Sequence, residues 1–427
     1  MKEDNSFKNQ LFRKDRVFNY VQKFSFPRLT GTDGEKEAVE LTVQTFKEIG
    51  FKDNEIQREP FELSDFYSTT LVKLIAIISL NSLLIFVLAI YLYPIFTFFI
   101  IGLMSLIVFL IVKGLKYPEK KRFWSEYFGN TVQATNVFLT IPAKLLPIEE
   151  AGNIIISAHL DSKSQTFKTV WRILSYRIWL FCGIILGGFY IAFLLYTYNI
   201  VELNYQIVQI GIWTLTVLIS FSNLILIFLN THNKSPGALD NASGMSIVFE
   251  LSRYFKDHKL DNFNIWFCQF SGEELGTMGS RIFVNNREDQ FVKGKVFQLN
   301  FDMVSSAKRK KRNRVEYLKS YGLIPRKKVA PILSKYLDKA ASEENVKICG
   351  FHITTGAHLD SVAFHLRGYS ALDITTRDAA FYTHNKGDTP DKVDPRVLVE
   401  ACIIARRVIL MLDKDYKILC ENRERAC

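Results

Sequence analysis

No two of the six cysteines stand in a CxxC spacing; Cys182, Cys268, Cys349, Cys402, Cys420 and Cys427 are scattered through 427 residues. That pattern argues against a disulfide framework and a zinc knuckle, and leaves reduced, mostly buried thiols. The opening "MKEDNSFKNQLFRKDRVFNYV" has neither an apolar h-region nor a small-residue cleavage site, so no secretory signal is expected there. The cationic run "KRKKRNR", Lys308 to Arg314, has no interleaved aromatics and no accompanying nucleic-acid motif. It reads as a solvated or lipid-facing loop, and no nucleic-acid partner is expected.

What the chain has in surplus is apolar side chains: 48% of residues are hydrophobic, and Phe alone occurs 35 times, enough for one large core with apolar residues to spare. The surplus is local. Leu71 to Tyr93 and Ile95 to Val112 are nearly charge-free, separated by Pro94, and each is about long enough to cross a hydrocarbon layer of roughly 30 Å. A second pair, Ile178 to Tyr198 and Ile207 to Leu229, is joined by "TYNIVELNYQ". Buried helices of a soluble core are the bland alternative, but four such segments in hairpin pairs predict four membrane-spanning helices.

Net charge is +11, and its placement orients the hairpins. Lys113, Lys116, Lys120, Lys121 and Arg122 follow the first hairpin; Lys163, Lys168, Arg172 and Arg177 precede the second, and Lys234 follows it. The far-side loops carry no Lys or Arg, only Glu202. The positive-inside bias therefore predicts a multi-pass protein with the rest of the chain in the cytoplasm, unless these cations merely touch anionic headgroups. Gly183 and Gly187 form a small-xxx-small face for close helix packing, either within the hairpin or with a second chain in a homo-oligomer.

Removing 66–122 and 166–235 leaves about 300 residues, a plausible single domain assembled from 1–65, 123–165 and 236–427. "NIIISAHL", "NIWFCQF", "VFQLNF" and "YSALDIT" read as strands buried on both faces. Glu35 to Ile49, Ser243 to Phe255, Pro331 to Ala341 and Pro395 to Leu412 read as helices. The alternation predicts an α/β three-layer sandwich around a mostly parallel sheet, with ligands gathering at the carboxyl ends of its strands.

Residues of metal-ligand type fall at those ends. In "SAHLDSKSQ", His159 and Asp161 share one strand face, which lets the carboxylate orient the imidazole. Asp240 precedes an apolar helix in "GALDNASG", Glu273 and Glu274 follow a strand in "FSGEELGTMGS", Asp302 ends "LNFD", and His384 lies in "YTHNKGDTPDKVD". Each has a bland reading: satisfied strand-end His, N-cap, solvated helix start, strand-end cap, surface His. Together, His159, Asp240, Glu274, Asp302 and His384 are a nitrogen and oxygen set without thiolate, which suits a catalytic zinc pair, with Glu273 left over as a base.

These motifs, in this order, resemble the co-catalytic di-zinc aminopeptidases of metallopeptidase family 28, whose fold is zinc exopeptidase-like. The pattern is His-x-Asp, Asp-Asn-Ala-Ser-Gly, Ser-Gly-Glu-Glu, a strand-end Asp, then His-x-x-x-Asp-Thr; "PRLTGTDGEKEAVE" is similar to the family's opening helix. The likeness runs from Phe26 to Ala405 and omits only the hairpins. It implies two zinc ions per chain bridged by Asp240, with His159 and Asp302 on one and Glu274 and His384 on the other. Asp161 would orient His159, and Glu273 would be general base towards a water activated by the metals. The sequence departs where some relatives have Tyr before the last His; here Thr383 does, with Tyr382 one step back.

His159 and Asp240 lie 81 positions apart because a whole hairpin interrupts what the family has as a short loop. The expected activity is removal of N-terminal residues from peptides, hydrophobic or membrane-derived ones included, at a site tethered near a lipid bilayer. Two competitors stand beside it. "HLDSK" looks like the matching segment of glutaminyl cyclases, which share the fold, and a non-catalytic membrane scaffold would keep the fold without all the ligands.

Overall fold

A computed structural model describes residues 11–114, 116–119, 128–305, 314–322, 325–354 and 359–424. Most of the 308–314 cationic run, Lys120 to Arg122 and Cys427 lie outside them. The chain divides into two compact units: a larger one of Met1–Leu63, Thr131–Ser164 and His232–Cys427, and a smaller one of Ser64–Asn130 and Gln165–Thr231.

The larger unit is built on a mixed sheet. Its strands are β1 (Ile56–Ser64), β2 (Thr131–Ile141), β3 (Gly152–His159), β6 (Phe263–Phe270), β7 (Val296–Phe301), β8 (Val315–Tyr321), β10 (Ile348–Ile353) and β11 (Ser370–Ile374). The order across the sheet is β1-β2-β6-β3-β7-β11-β8-β10, the short β9 (Lys327–Lys328) pairs with β8 off that path, and β4 (Ser164–Gln165) and β5 (Thr231–His232) pair with each other apart from the sheet. The middle four strands run parallel: β3 pairs with β6 and with β7, and β7 with β11. Antiparallel pairing appears where β2 joins β6 and β8 joins β11. Every residue of β3, β6 and β7 is buried, as a sheet covered on both faces requires.

The covering helices follow from apolar periodicity. In chain order they are α1 (Lys14–Lys23), α2 (Asp33–Ile49), then, after four helices of the smaller unit, α7 (Ser243–Asp257), α8 (Met278–Asn285), α9 (Pro331–Glu344), α10 (Ser361–His365), α11 (Pro395–Lys414) and α12 (Tyr416–Glu424). In α2, Ala38, Val39, Val43, Phe46 and Ile49 line one buried face. It stops at Gly50, whose φ of +104° places it in the left-handed cap conformation, with its amide on the Lys47 carbonyl at 2.8 Å. At Gly244 the reason for glycine is space: a Cβ there would lie 2.2 Å from the Phe301 carbonyl oxygen, so α7 approaches the end of β7 only because none is present.

The smaller unit holds α3 (Thr69–Leu92), α4 (Thr97–Gly114), α5 (Thr169–Thr197) and α6 (Tyr205–Ile227). All four are long and apolar enough to cross a membrane. The third begins nine residues before the apolar run at Ile178, so Arg172 and Arg177 lie in its opening turns. Leu83, Val87, Ile90, Tyr190, Phe193, Ile212 and Ile219 pack together, and Trp179 donates to the Ser79 hydroxyl at 2.9 Å. Leu84, Leu88, Ile184, Ile191, Ile210 and Phe221 stay exposed, as lipid-facing side chains would. A Cβ at Gly183 or Gly187 meets nothing within 4 Å among the described residues, so this chain does not cover that face.

The larger core has an aromatic centre. The Phe249 ring, fully buried on α7, lies 5.3 Å from Tyr20, 5.4 Å from Phe24 and 5.1 Å from Phe46, ring centre to ring centre. Phe249→Ala is expected to cost about 3–5 kcal/mol, read as a lowered denaturant midpoint in detergent with an unchanged m-value; a loss under about 1 kcal/mol would contradict this packing.

Candidate metal centre

The site is assembled at the carboxyl ends of three adjacent parallel strands. His159 is the last residue of β3, Glu273 and Glu274 follow β6 across the turn at Ser271 and Gly272, and Asp302 directly follows β7. Asp240 sits in the irregular turn Ala238–Ala242 that leads into α7. His384 lies beyond β11 in a left-handed conformation, φ +59°, a region imidazole side chains tolerate better than most.

Two buried triads result: His159, Asp240 and Asp302, and Asp240, Glu274 and His384. Asp240 belongs to both. Its Oδ1 lies 3.2 Å from His159 Nε2 and its Oδ2 lies 3.2 Å from His384 Nε2. The triads close with His159 Nε2 to Asp302 Oδ1 at 3.3 Å and His384 Nε2 to Glu274 Oε2 at 3.2 Å. For zinc bonded at about 2.0–2.1 Å, the edge of a ligand tetrahedron is about 3.3 Å, so the donor separations match those of ligands around a common ion.

The donor chemistry agrees. His159 Nδ1 donates to the Asp161 backbone carbonyl at 3.1 Å, leaving Nε2 to face the carboxylates of Asp240 and Asp302. A single proton on that nitrogen can point at only one of them, whereas a cation among the three serves all. The residues present therefore fit a pair of zinc ions. The Asp161 Oδ1 also lies 3.4 Å from His159 Nδ1, and its carboxylate accepts from the Thr30 hydroxyl at 2.7 Å and from the backbone amides of Glu273 at 3.3 Å and Glu274 at 3.2 Å. One side chain thus ties the β3 ligand to the turn that carries the other two carboxylates.

Burial and charge set the protonation pattern. Burial alone would pull His159 down, but the Asp302 charge and hydrogen bonds to Asp161, Asp240 and Asp302 raise it well above the ordinary histidine value. Burial also opposes His384, which Glu274 and Asp240 raise while Lys163 resists. Burial would raise Asp240 and Glu274, yet the two histidines hold Asp240 far below the carboxylate range, and His384 with Lys163 brings Glu274 to about 2. Glu273 goes the other way. Burial pushes its carboxyl well up against the opposing charge of His159, and Glu274 and Asp302 reinforce the rise.

Three further buried groups lie at the site. Lys163 places Nζ 2.8 Å from Glu274 Oε2 and donates to the Glu274 carbonyl at 2.9 Å. Asp388 accepts from the amides of Leu239 at 2.7 Å and Asp240 at 3.1 Å, fixing the backbone of the shared ligand; burial and the Asp240 charge push its carboxyl up to about 7. Asp360, just before α10, is raised to about 7 by burial, with His159 and the Ser280 hydroxyl opposing and Asp302 and Asp161 reinforcing. The signals available in the sequence are the Asp-Thr after His384, which marks Asp388, and "HLDSK", which contains Lys163; Asp360 shows its importance only once buried.

The family model described as peptidase family M28 matches residues 227–409, which contain five of the seven site residues. Aminopeptidase YwaD of Bacillus subtilis (strain 168) is 26% identical over 176 residues, 39% of this chain and 36% of the relative's length. The matched stretch thus spans about a third of that curated relative. Among solved structures, BSAP, a zinc aminopeptidase from Bacillus subtilis, aligns with a TM-score of 0.53 at 12% identity, over 93% of this chain and 94% of its own. A glutaminyl cyclase from an Acidobacteriales bacterium aligns with a TM-score of 0.51 at 15% identity, over 94% and 95%. At such identities both establish a shared fold.

Zinc must displace the protons that His159 and His384 hold to raised pH, so its affinity is expected to climb as pH rises through neutrality and to level off above. In the metal-free protein the sign reverses. The two imidazoliums stabilise the fold below the ordinary histidine pKa of about 6.5, and that contribution is lost as pH rises through their raised folded values. Competition titration with a zinc chelator at several pH values checks this; an affinity independent of pH across neutrality would contradict the ligand assignment.

Proposed function

We propose that this chain is a zinc-dependent aminopeptidase of peptidase family M28 that removes N-terminal residues from peptides while anchored in a membrane. The observation that carries the reading is the pair of triads sharing Asp240, with a protonatable Glu273 beside them. His159, Asp240 and Asp302 would hold one ion and Asp240, Glu274 and His384 the other. When bound, such a pair supplies Lewis acidity that polarises a peptide carbonyl and acidifies water. Glu273 would take the proton released on attack and pass it to the leaving amine, a role that suits a carboxyl whose pKa is pushed upward. Asp161 holds the Glu273 backbone amide and the His159 ring together, so base and ligand keep a fixed relation.

Charge and chain length support the membrane side of the reading. Lys73 in the first turns of α3, Lys113 at the end of α4, and Arg172 and Arg177 at the start of α5 bias those helix ends towards the cytoplasm. Eight peptide steps separate Asp161 from Thr169, a reach of at most about 28 Å, so a spanning α5 would keep the metal centre close to a bilayer. Substrates emerging from lipid would then reach it at high local concentration.

One observation favours a second reading. Lys163 on Glu274 is the "HLDSK" lysine, and glutaminyl cyclases are among the fold neighbours. The full-length protein given peptides with varied N-termini is expected to release free amino acids; ammonia from an N-terminal Gln peptide without free amino acid would replace the peptidase by the cyclase. Glu273→Gln should bind zinc as the unaltered protein does yet turn over about 10²–10⁴-fold more slowly, and undiminished turnover would remove Glu273 as base. In reconstituted vesicles, a peptide with an apolar tail should be cleaved faster than a soluble peptide of the same N-terminus. An equal ratio in vesicles and detergent would reduce the membrane segments to an anchor.

A further inference from the structure

Arg28 is fully buried, and among the described residues its guanidinium meets no carboxylate in direct contact. It is spent on backbone instead. Nε donates to the Leu160 carbonyl at 2.5 Å, Nη1 to Phe24 at 2.6 Å, Pro236 at 2.7 Å and Phe26 at 3.1 Å, and Nη2 to Gly237 at 2.9 Å. Burial lowers its pKa to about 10, with Asp388, Asp161, Asp240 and Glu274 opposing the fall, so the group remains a cation at neutral pH. A buried cation held by carbonyls from three separated segments has a large desolvation cost to offset. The segments it joins indicate why it is there.

The second insertion leaves the larger unit after Ser164 and returns at His232. Leu160 lies between His159 and Asp161 on the outgoing side; Pro236 and Gly237 lie just before Asp240 on the returning side. The rest of the neck repeats the pattern. Ser162 Oγ accepts from the Arg28 amide at 3.2 Å and donates to the Ser235 carbonyl at 3.2 Å, the Ser162 amide donates to the Arg28 carbonyl at 3.2 Å, and the Leu29 amide donates to Asn233 Oδ1 at 3.1 Å. Two residues on, Thr30 binds Asp161.

We infer that Arg28 is a positioning residue for the metal centre: it clamps the two ends of the inserted hairpin so that His159 and Asp161 stay in register with Asp240. The inference rests on the metal-site reading above and adds the residue that keeps the site closed across an interruption of the chain. Lysine keeps the charge but reaches one or two acceptors in place of five, so the neck loosens and the two halves of the site lose their fixed spacing. Asp240 is common to both triads, hence both ions are affected together.

The test is zinc affinity of the purified full-length protein in metal buffers, alongside thermal unfolding of the metal-free form. Arg28→Lys is expected to stay folded yet bind zinc at least tenfold more weakly at both positions. Unchanged zinc affinity in a folded variant, with or without a lowered melting temperature, overturns the inference, since a merely structural residue behaves that way. If Arg28→Lys does not fold, Ser162→Ala removes only the hydroxyl link and should weaken zinc binding in the same direction; unchanged affinity there overturns it equally. An unaltered protein that takes up no zinc would overturn the metal-site reading itself, a distinct result seen before any variant is made.

Discussion

A single carboxylate facing two histidines in opposite directions is the constraint on which this molecule turns. Asp240 can present one oxygen to His159 and the other to His384 only if its backbone is held rigidly, and Asp388 holds it through two amide hydrogen bonds. That hold matters only if the partners are equally fixed. The close approach of α7 to the end of β7, allowed by Gly244, sets Asp240 and Asp302 against one another, and the Asp161 carboxylate sets His159 against the Glu273–Glu274 turn. Precision at the site is therefore borrowed from the aromatic core beneath α7 and from the fully buried strands, whose packing tolerates little displacement.

The parts of the fold legible in the sequence share one property. The four strands readable as apolar runs are β6, β3, β7 and β11, which are contiguous in the sheet and mutually parallel. Covered on both faces, they carry mostly apolar side chains, and buried polar ones such as Ser157, Gln298 and Asn300 hydrogen-bond among themselves. β1, reading "IQREPFELS", and β10, half-buried along its length, stand at the edges and carry mixed side chains that no simple period identifies. β8 begins buried and ends exposed. A sheet inferred from its middle looks more parallel than one that includes its flanks, which is why the antiparallel joins at β2 and β8 come only from the structure.

The five residues that the structure gathers into two triads are legible as candidates because buried carboxylates and imidazoles are costly without a purpose, and three of them, His159, Glu274 and Asp302, stand at the ends of apolar strands. The structure adds groups with no such signature. Arg28, Lys163 and Asp360 are residue types that usually lie at the surface, and only convergence of distant segments buries them. Likewise, the apolar run marks where the third membrane-length helix is greasy, not where it begins, because Arg172 and Arg177 can occupy its polar end without interrupting it.

Both interruptions of the larger unit are pinched at their base. Asp65 accepts from the Asn130 amide at 2.8 Å and from its side chain at 3.1 Å where the first begins and ends, and Ser164 Oγ donates to the His232 carbonyl at 2.8 Å where the second does. Each excursion is thereby reduced to a side branch on a sheet that already closes without it, so its length and composition are nearly decoupled from the order of the strands. In engineering terms these are two ready-made grafting ports, positions where the scaffold would accept a soluble domain, a reporter or a different lipid anchor in exchange for the helices now there.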